Sequence, residues 1–178
     1  VNTRALLDHI AARNTGVVGD GIAHGLDTYC PQYAINTPLR LAHFIAQACH
    51  ETEEFRFLKE IWGPTPQQRR YEGRKDLGNV RPGDGYMYRG RGIFELTGRD
   101  NYARVGKALG LPLEVEPELA ADPVISVRIA CLYWQTHNIN AAADADDIIR
   151  VTRAINGGLI GLADREACLK RAKEVLPC

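Results

Sequence analysis

No stretch of the 178-residue chain is apolar for long enough to span a membrane, and no segment is repetitive or of low complexity. Neither sign of charge prevails. Lys and Arg together number 22, as do Asp and Glu, so no overall field draws in nucleic acid or an acidic surface. A P-loop, a Gly-rich dinucleotide fingerprint and a calcium loop are all missing, so no cofactor is implied. The opening VNTRALLDHIAARN carries charges at positions 4, 8 and 13 and reads as neither a signal peptide nor a membrane anchor. Five cysteines show no metal-ligand or redox spacing, and their odd count leaves at least one unpaired. Most are expected buried and reduced, which fits synthesis in a reducing cytosol.

What remains is an ordinary globular composition, 45% apolar and 25% charged. It is read as one domain over residues 1–178, large enough to bury roughly 70% of its unfolded surface. Locally the charge is uneven. Thr65 to Arg91 holds seven basic and three acidic residues. Thr37 and Pro38 open a helix as N-cap and first helical residue, and Leu41, Phe44, Ile45, Ala48, Thr52 and Phe55 follow at helical spacing. From Trp62 to Gly92 the periodicity gives way to Gly, Pro, Arg and Asp, the composition of short strands and functional loops. Helices are expected again from Arg99 to Gly110, from Asp122-Pro123 with Ile125, Ile129, Leu132 and Tyr133 inward, and from about Ala145 to Ile155. Another should run from about Ala163 to Val175, and two more near residues 3–13 and 20–34. The fold class is therefore mainly α or α+β, helices enclosing a small irregular β and loop region.

Residues 48 to 62 read ACHETEEFRFLKEIW. A zinc-protease helix would need a second histidine four residues after His50, and that position is Glu54, so no metal site is expected. On a helix, Phe44, Ala48 and Phe55 fall within about 60° of Glu51. A carboxyl among such rings resists ionisation, as a general acid working near neutral pH must. The plainer alternative puts Glu51 at a helix end with its head in water. Glu60 would lie about 180° around and ~13.5 Å along an unbroken helix, facing away. A working pair needs the helix to end near Arg56 or Phe57 and the chain to turn back, and Leu58 to Trp62 before Gly63-Pro64 suits that exit. Inverting glycosidases hold their carboxyls ~6.5–9.5 Å apart around a water. Taken alone, Glu60 also reads as a solvated surface acid.

CHETEEF, EIWGPTPQQRRYEGRKDLGN, PGDG, YRGRGIFELTGRDNY and AINGG occur in that order. Together they resemble the catalytic domain of glycoside hydrolase family 19, the chitinase-like family, and most of all its bacteriophage endolysin branch. The resemblance runs from about Thr37 to Arg165. It implies a lysozyme-like fold and inverting cleavage of β-1,4 bonds beside N-acetylated sugars. It assigns Glu51 as general acid, Glu60 as the base that activates water, and Thr97 as the hydroxyl that helps hold that water. Asn101, Tyr102 and Asn156 match sugar-binding positions. Where most of the family has glutamine, this chain has Glu95, a carboxylate that only accepts when ionised.

Trp62, Tyr71, Tyr86 and Tyr88 are candidates for a platform under sugar rings, with loop anchoring as the alternative. Arg69, Arg70, Arg74 and Lys75 would meet the acidic groups of peptidoglycan, or form a solvated run partly neutralised by Glu72 and Asp76. Arg89 or Arg91 is expected to clamp a carboxylate, Glu95 or Glu51, and Arg91 is counted with the substrate-binding positions. The last helix sets Arg165, Lys170, Arg171 and Lys173 opposite an apolar stripe, which is read as core rather than as a membrane-inserting face. The expected function is that of a monomeric endolysin cutting peptidoglycan glycan strands. It would have no nucleic-acid partner and no stable membrane association, waiting in the host cytoplasm for release through a separate pore. A chitinase is the alternative enzyme, and an inactive glycan-binding module the alternative class.

Overall fold

The computed structural model describes residues 2–11 and 16–178. Helix α1, Thr3–Ile10, starts where the Asn2 side chain accepts from the Ala5 amide, and it buries Leu6, Leu7 and Ile10. It ends at Ile10 with Ala11 already extended, short of the expected residue 13, and residues 12–15 lie outside the described residues. Helix α2, Gly16–Tyr29, runs into a short 3-10 turn at Cys30–Tyr33. Helix α3, Pro38–Glu51, is capped by the Thr37 hydroxyl as expected, and Ala42 through Cys49 are all buried. Six of those eight residues are apolar, and His43 and Gln47 are buried with them, which puts this helix at the protein centre. Helices α8, α9 and α10 pack around it.

Between α3 and residue 98 only two single-turn α-helices form, α4 (Pro66–Arg69) and α5 (Asp84–Met87), with a 3-10 turn at Lys75–Leu77 between them. The expected short strands reduce to isolated backbone pairings, Lys59 with Arg91 and Arg91 with Leu96. Helix α6, Arg99–Leu109, stops at Gly110 in the left-handed region. Helix α7, Pro123–Thr136, is capped by Asp122. Its Ile125, Ile129 and Leu132 join a second core with Tyr88 and Tyr102, while Val127, Ala130, Cys131 and Trp134 join the main one. The helix is thus a wall between two cores, and its inward face is wider than its spacing alone predicts.

The helix expected from Ala145 begins later. Asn140–Asp144 forms α8, Asp146 turns the chain at φ 53°, and Asp147 accepts from the Arg150 amide to start α9, Ile148–Asn156. Helix α10, Leu162–Val175, lays Cys168, Leu169 and Ala172 against α3 and α1, so its stripe is used in the core. No helix among the described residues is long and apolar enough to cross a membrane. The five cysteines are free thiols, Cys178 exposed and the others buried.

Helices α2 and α7 approach through glycine. A Cβ added to Gly25 would sit 2.9 Å from both Cβ and Cγ2 of Val127. Alanine gains about 1 kcal/mol of helix propensity over glycine, whereas overpacking a close-packed contact costs about 1–3 kcal/mol. Gly25→Ala should therefore lower Tm in a thermal melt; a raised Tm would mean the two helices can separate freely.

Candidate active site

Helix α3 ends at Glu51, six residues before Phe57. Glu53, Glu54 and Phe55 take φ of 48°, 61° and 63°. Such residues cost about 1–2 kcal/mol each, so something must hold them. The Thr52 hydroxyl donates to the Ala48 carbonyl and accepts from the Phe55 amide, and the Phe55 ring is fully buried. The chain then doubles back. Lys59 pairs with Arg91, and the Glu60 amide donates to the Gly90 carbonyl at 2.9 Å. Glu51 and Glu60 therefore sit on different elements, and both line one cavity of about 200 Å³ that Glu95 shares.

The three carboxyls have different surroundings. Oε1 of Glu51 accepts from Arg165 Nη2 at 2.5 Å. Arg165 was expected on the polar face of the last helix but is fully buried, and it also donates to Gln47 Oε1 and the Ile160 carbonyl. A guanidinium, not the expected ring of aromatics, flanks Glu51; Phe44 instead packs edge-on to Phe94 and Trp134 in the core. Glu60 accepts from Gln68 Nε2 at 3.0 Å, Tyr71 Oη at 3.4 Å and the Gly90 amide at 3.1 Å. Gln68 is itself fixed by a capping box with Thr65, legible in the sequence as T-x-x-Q.

Glu95 stands in a turn at φ 48°. No described residue donates to its carboxyl. Burial of the carboxyl, then Glu60, then Glu51 push its pKa from the ordinary 4.5 up to about 7. The expected arginine clamp lies elsewhere: Arg91 bonds Glu118 at 2.6 Å and Arg89 approaches it at 3.7 Å. Burial opposes ionisation of Glu118, but bonds from Arg91 and Lys59 hold its pKa down at about 2. Gly90 marks where the groups converge. A Cβ there would lie 3.4 Å from Glu60 Oε2, 3.4 Å from Glu95 Cβ and 3.5 Å from Thr97 Oγ1. The Thr97 hydroxyl donates to the Glu95 carbonyl, which leaves its oxygen free to accept from a water.

Beside Glu60, the Trp62 ring lies 6.4 Å from Tyr71 and 5.3 Å from Tyr86, and the Arg89 guanidinium covers Tyr86 at 4.1 Å. Tyr88, the fourth platform candidate, is buried in the second core. Asn101 and Thr97 line a second cavity of about 390 Å³, which has Glu95 in common with the first. Arg91 and Tyr102, both assigned to substrate, are buried instead, bonded to each other at 3.0 Å beneath the cleft. Exposed Asn156, at the end of α9, lines neither cavity. Of the basic run, Arg74 pairs with Asp76, while Glu72 accepts from the Gly83 and Gly85 amides rather than neutralising arginines. Among the described residues no three His, Cys, Asp or Glu are placed to hold a metal ion.

The family model for glycoside hydrolase family 19, described as chitinase class I, matches residues 34–155. A glycosyl hydrolase family 19 domain-containing protein of Haemophilus influenzae is 41% identical over 95 residues, 53% of this chain and 46% of that one. Chitinase 6 of Oryza sativa subsp. japonica is 30% identical over 120 residues, 67% of this chain and 43% of that one. The chain thus spans less than half the length of these relatives. Chitinase C of Streptomyces griseus superimposes with a TM-score of 0.78 at 23% identity, over 99% of this chain and 76% of that one. A bacterial family 19 chitinase gives 0.75 at 22% identity, over 98% and 94%. At these identities the two structures establish a common fold.

Glu95 binds its proton more tightly in the folded chain, at about 7, than at the ordinary 4.5. The folded state therefore holds the extra proton between those values, and stability falls as pH rises through them. Glu95→Gln removes that loss. Its Tm relative to wild type should climb from pH 4.5 to 7 and level off above. A difference constant across that range would contradict the placement of Glu95.

Proposed function

The chain belongs to glycoside hydrolase family 19, and from that premise we propose that it is an endolysin cutting β-1,4 bonds of peptidoglycan glycan strands with inversion. The observation that carries the chemistry is the pair Glu51 and Glu60, facing one cavity from separate elements with different donors. Arg165 engages Oε1 of Glu51, which leaves Oε2 as the oxygen that would deliver a proton to the departing glycosidic oxygen. Glu60, oriented from three sides, takes a proton from the attacking water, and Thr97 Oγ1 accepts a second hydrogen of that water. A cavity of about 200 Å³ exceeds the ~30 Å³ share of one water, as an inverting mechanism requires.

Charge favours peptidoglycan over chitin. A surface depression lined by Gln67, Arg70, Tyr71 and Arg74 adjoins the aromatic group beside Glu60. Chitin is neutral, whereas peptidoglycan offers lactyl-peptide carboxylates that Arg70 would complement, Arg74 being paired with Asp76. The endolysin would accumulate in the host cytoplasm, reach the wall through a separate pore, and act as a monomer. The name of the rice relative favours a second reading, a chitinase on N-acetylglucosamine polymers.

Glu51→Gln should keep its bond from Arg165 and its fold while losing about 10²–10⁴-fold in kcat, the usual contribution of a general acid. Wild type should clear suspensions of outer-membrane-permeabilised cells faster than it cuts a soluble N-acetylglucosamine oligomer. Oligomer cleavage without clearing would make it a chitinase. Binding without cleavage of either would make it a glycan-binding module. More than a tenth of the activity left in Glu51→Gln would hand the acid role to another residue.

A further inference from the structure

The cleft holds three carboxyls, and two of them are provided for. Glu51 has Arg165, and Glu60 has Gln68, Tyr71 and the Gly90 amide. Glu95 has no donor among the described residues, although its Cβ and Glu60 Oε2 each lie 3.4 Å from one point above Gly90. The cations around it are engaged. Lys59, Arg89 and Arg91 converge on Glu118. On α6, Arg104 donates to Asn101, and on α7 the His137 ring is stacked on Tyr133 at 3.9 Å with Nδ1 against the Tyr133 carbonyl. Tyr71, the remaining titratable neighbour, is pushed up by burial, Glu60 and Glu95. None of these cations is left to pair with Glu95, and Arg165 is taken by Glu51.

Glu95 is buried in the cavity it shares with Glu51 and Glu60, and a buried carboxyl to which nothing donates resists ionisation. A neutral carboxylic acid is a donor as well as an acceptor, as an amide is. Glu95 also joins the two cavities, lining the one with Glu51 and Glu60 and the one with Asn101. A sugar seated beside the cleaved bond would lie against it.

We propose that Glu95 works as a neutral acid whose O–H donates to an acyl or hydroxyl oxygen of the bound sugar, so that glycan binding weakens when that proton leaves. This rests on the glycosidase reading above. It makes Glu95 a substrate-positioning group with a built-in pH limit, separate from the proton transfers of Glu51 and Glu60. The raised pKa of about 7 agrees with that role.

Binding is measured by calorimetry in the Glu51→Gln background, where turnover does not interfere and burial and Glu60, the two larger causes of the shift, remain. The probes are an N-acetylglucosamine tetramer and a muramic-acid-containing tetrasaccharide. If only the protonated form binds, apparent Kd scales inversely with the protonated fraction, which for a pKa near 7 gives about tenfold weaker binding at pH 8 than at pH 6. With Glu95→Gln added, Kd should stay within about twofold over that range. Carbon NMR of side-chain-labelled glutamate should show a carboxyl titrating near neutrality that the Glu95→Gln change removes. Binding equally pH-independent with Glu or Gln at position 95 would overturn the donor role. A Glu95 resonance already ionised at pH 6 would overturn the proton assignment. No binding of either glycan by either protein, with the NMR titration intact, would instead contradict the glycosidase reading and the substrate contact built on it.

Discussion

The buried guanidinium of Arg165 is the contact on which the cleft depends. Burying such an ion costs several kcal/mol even after relaxation, unless good partners surround it. Here Glu51, Gln47 and the Ile160 carbonyl accept from it, and Gln47 passes the connection to Thr152 on α9. One charge therefore fixes the end of α3 to α10 and, through an amide, to α9. His50 adds a second tie, bonding Asp164 at 2.6 Å in the first turn of α10. Glu51 is the last residue of α3, where a carboxyl would otherwise swing in solvent.

The second constraint is the left-handed reversal after Glu51. Three successive non-glycine residues at positive φ carry roughly 3–6 kcal/mol of strain. Burial of a large apolar side chain returns about 1.5–3 kcal/mol, and Phe55 supplies that together with the hydrogen bonds of Thr52. The reversal is what turns Glu60 toward Glu51. Beneath it, Arg91, Tyr102 and Glu118 form the floor that sets Gly90 against Glu60. The scaffold thus draws both Arg89 and Arg91 away from Glu95.

What the sequence disclosed was local. Thr37-Pro38, Asp122-Pro123 and Gly110 mark helix ends through chemistry within a few residues, and all three hold. The need for a break between Glu51 and Glu60 followed from helix geometry alone. Its manner did not, because Glu53, Glu54 and Phe55 carry no glycine to announce positive φ. Arg165 was misread by charge although its spacing with Cys168, Leu169 and Ala172 puts it on the buried stripe. Its partner lies 114 positions earlier in the chain, and Glu118 lies 27 beyond Arg91. Pairings at such separations are made by the fold and leave no local pattern. Arg91 and Tyr102 were assigned to substrate for the same reason: a motif shows which residues recur together, not which of them face inward.

In the proposed reaction, two carboxyls on opposed elements hold a water between them and act without a covalent intermediate. Proton NMR of the first sugars released, before mutarotation, tests it directly. Attack from the face opposite the leaving group yields the α-anomer from a β-linked glycan, and that is the expected signal. Initial appearance of the β-anomer would contradict the account, since it requires a covalent or substrate-assisted intermediate that Glu60 as a base does not form.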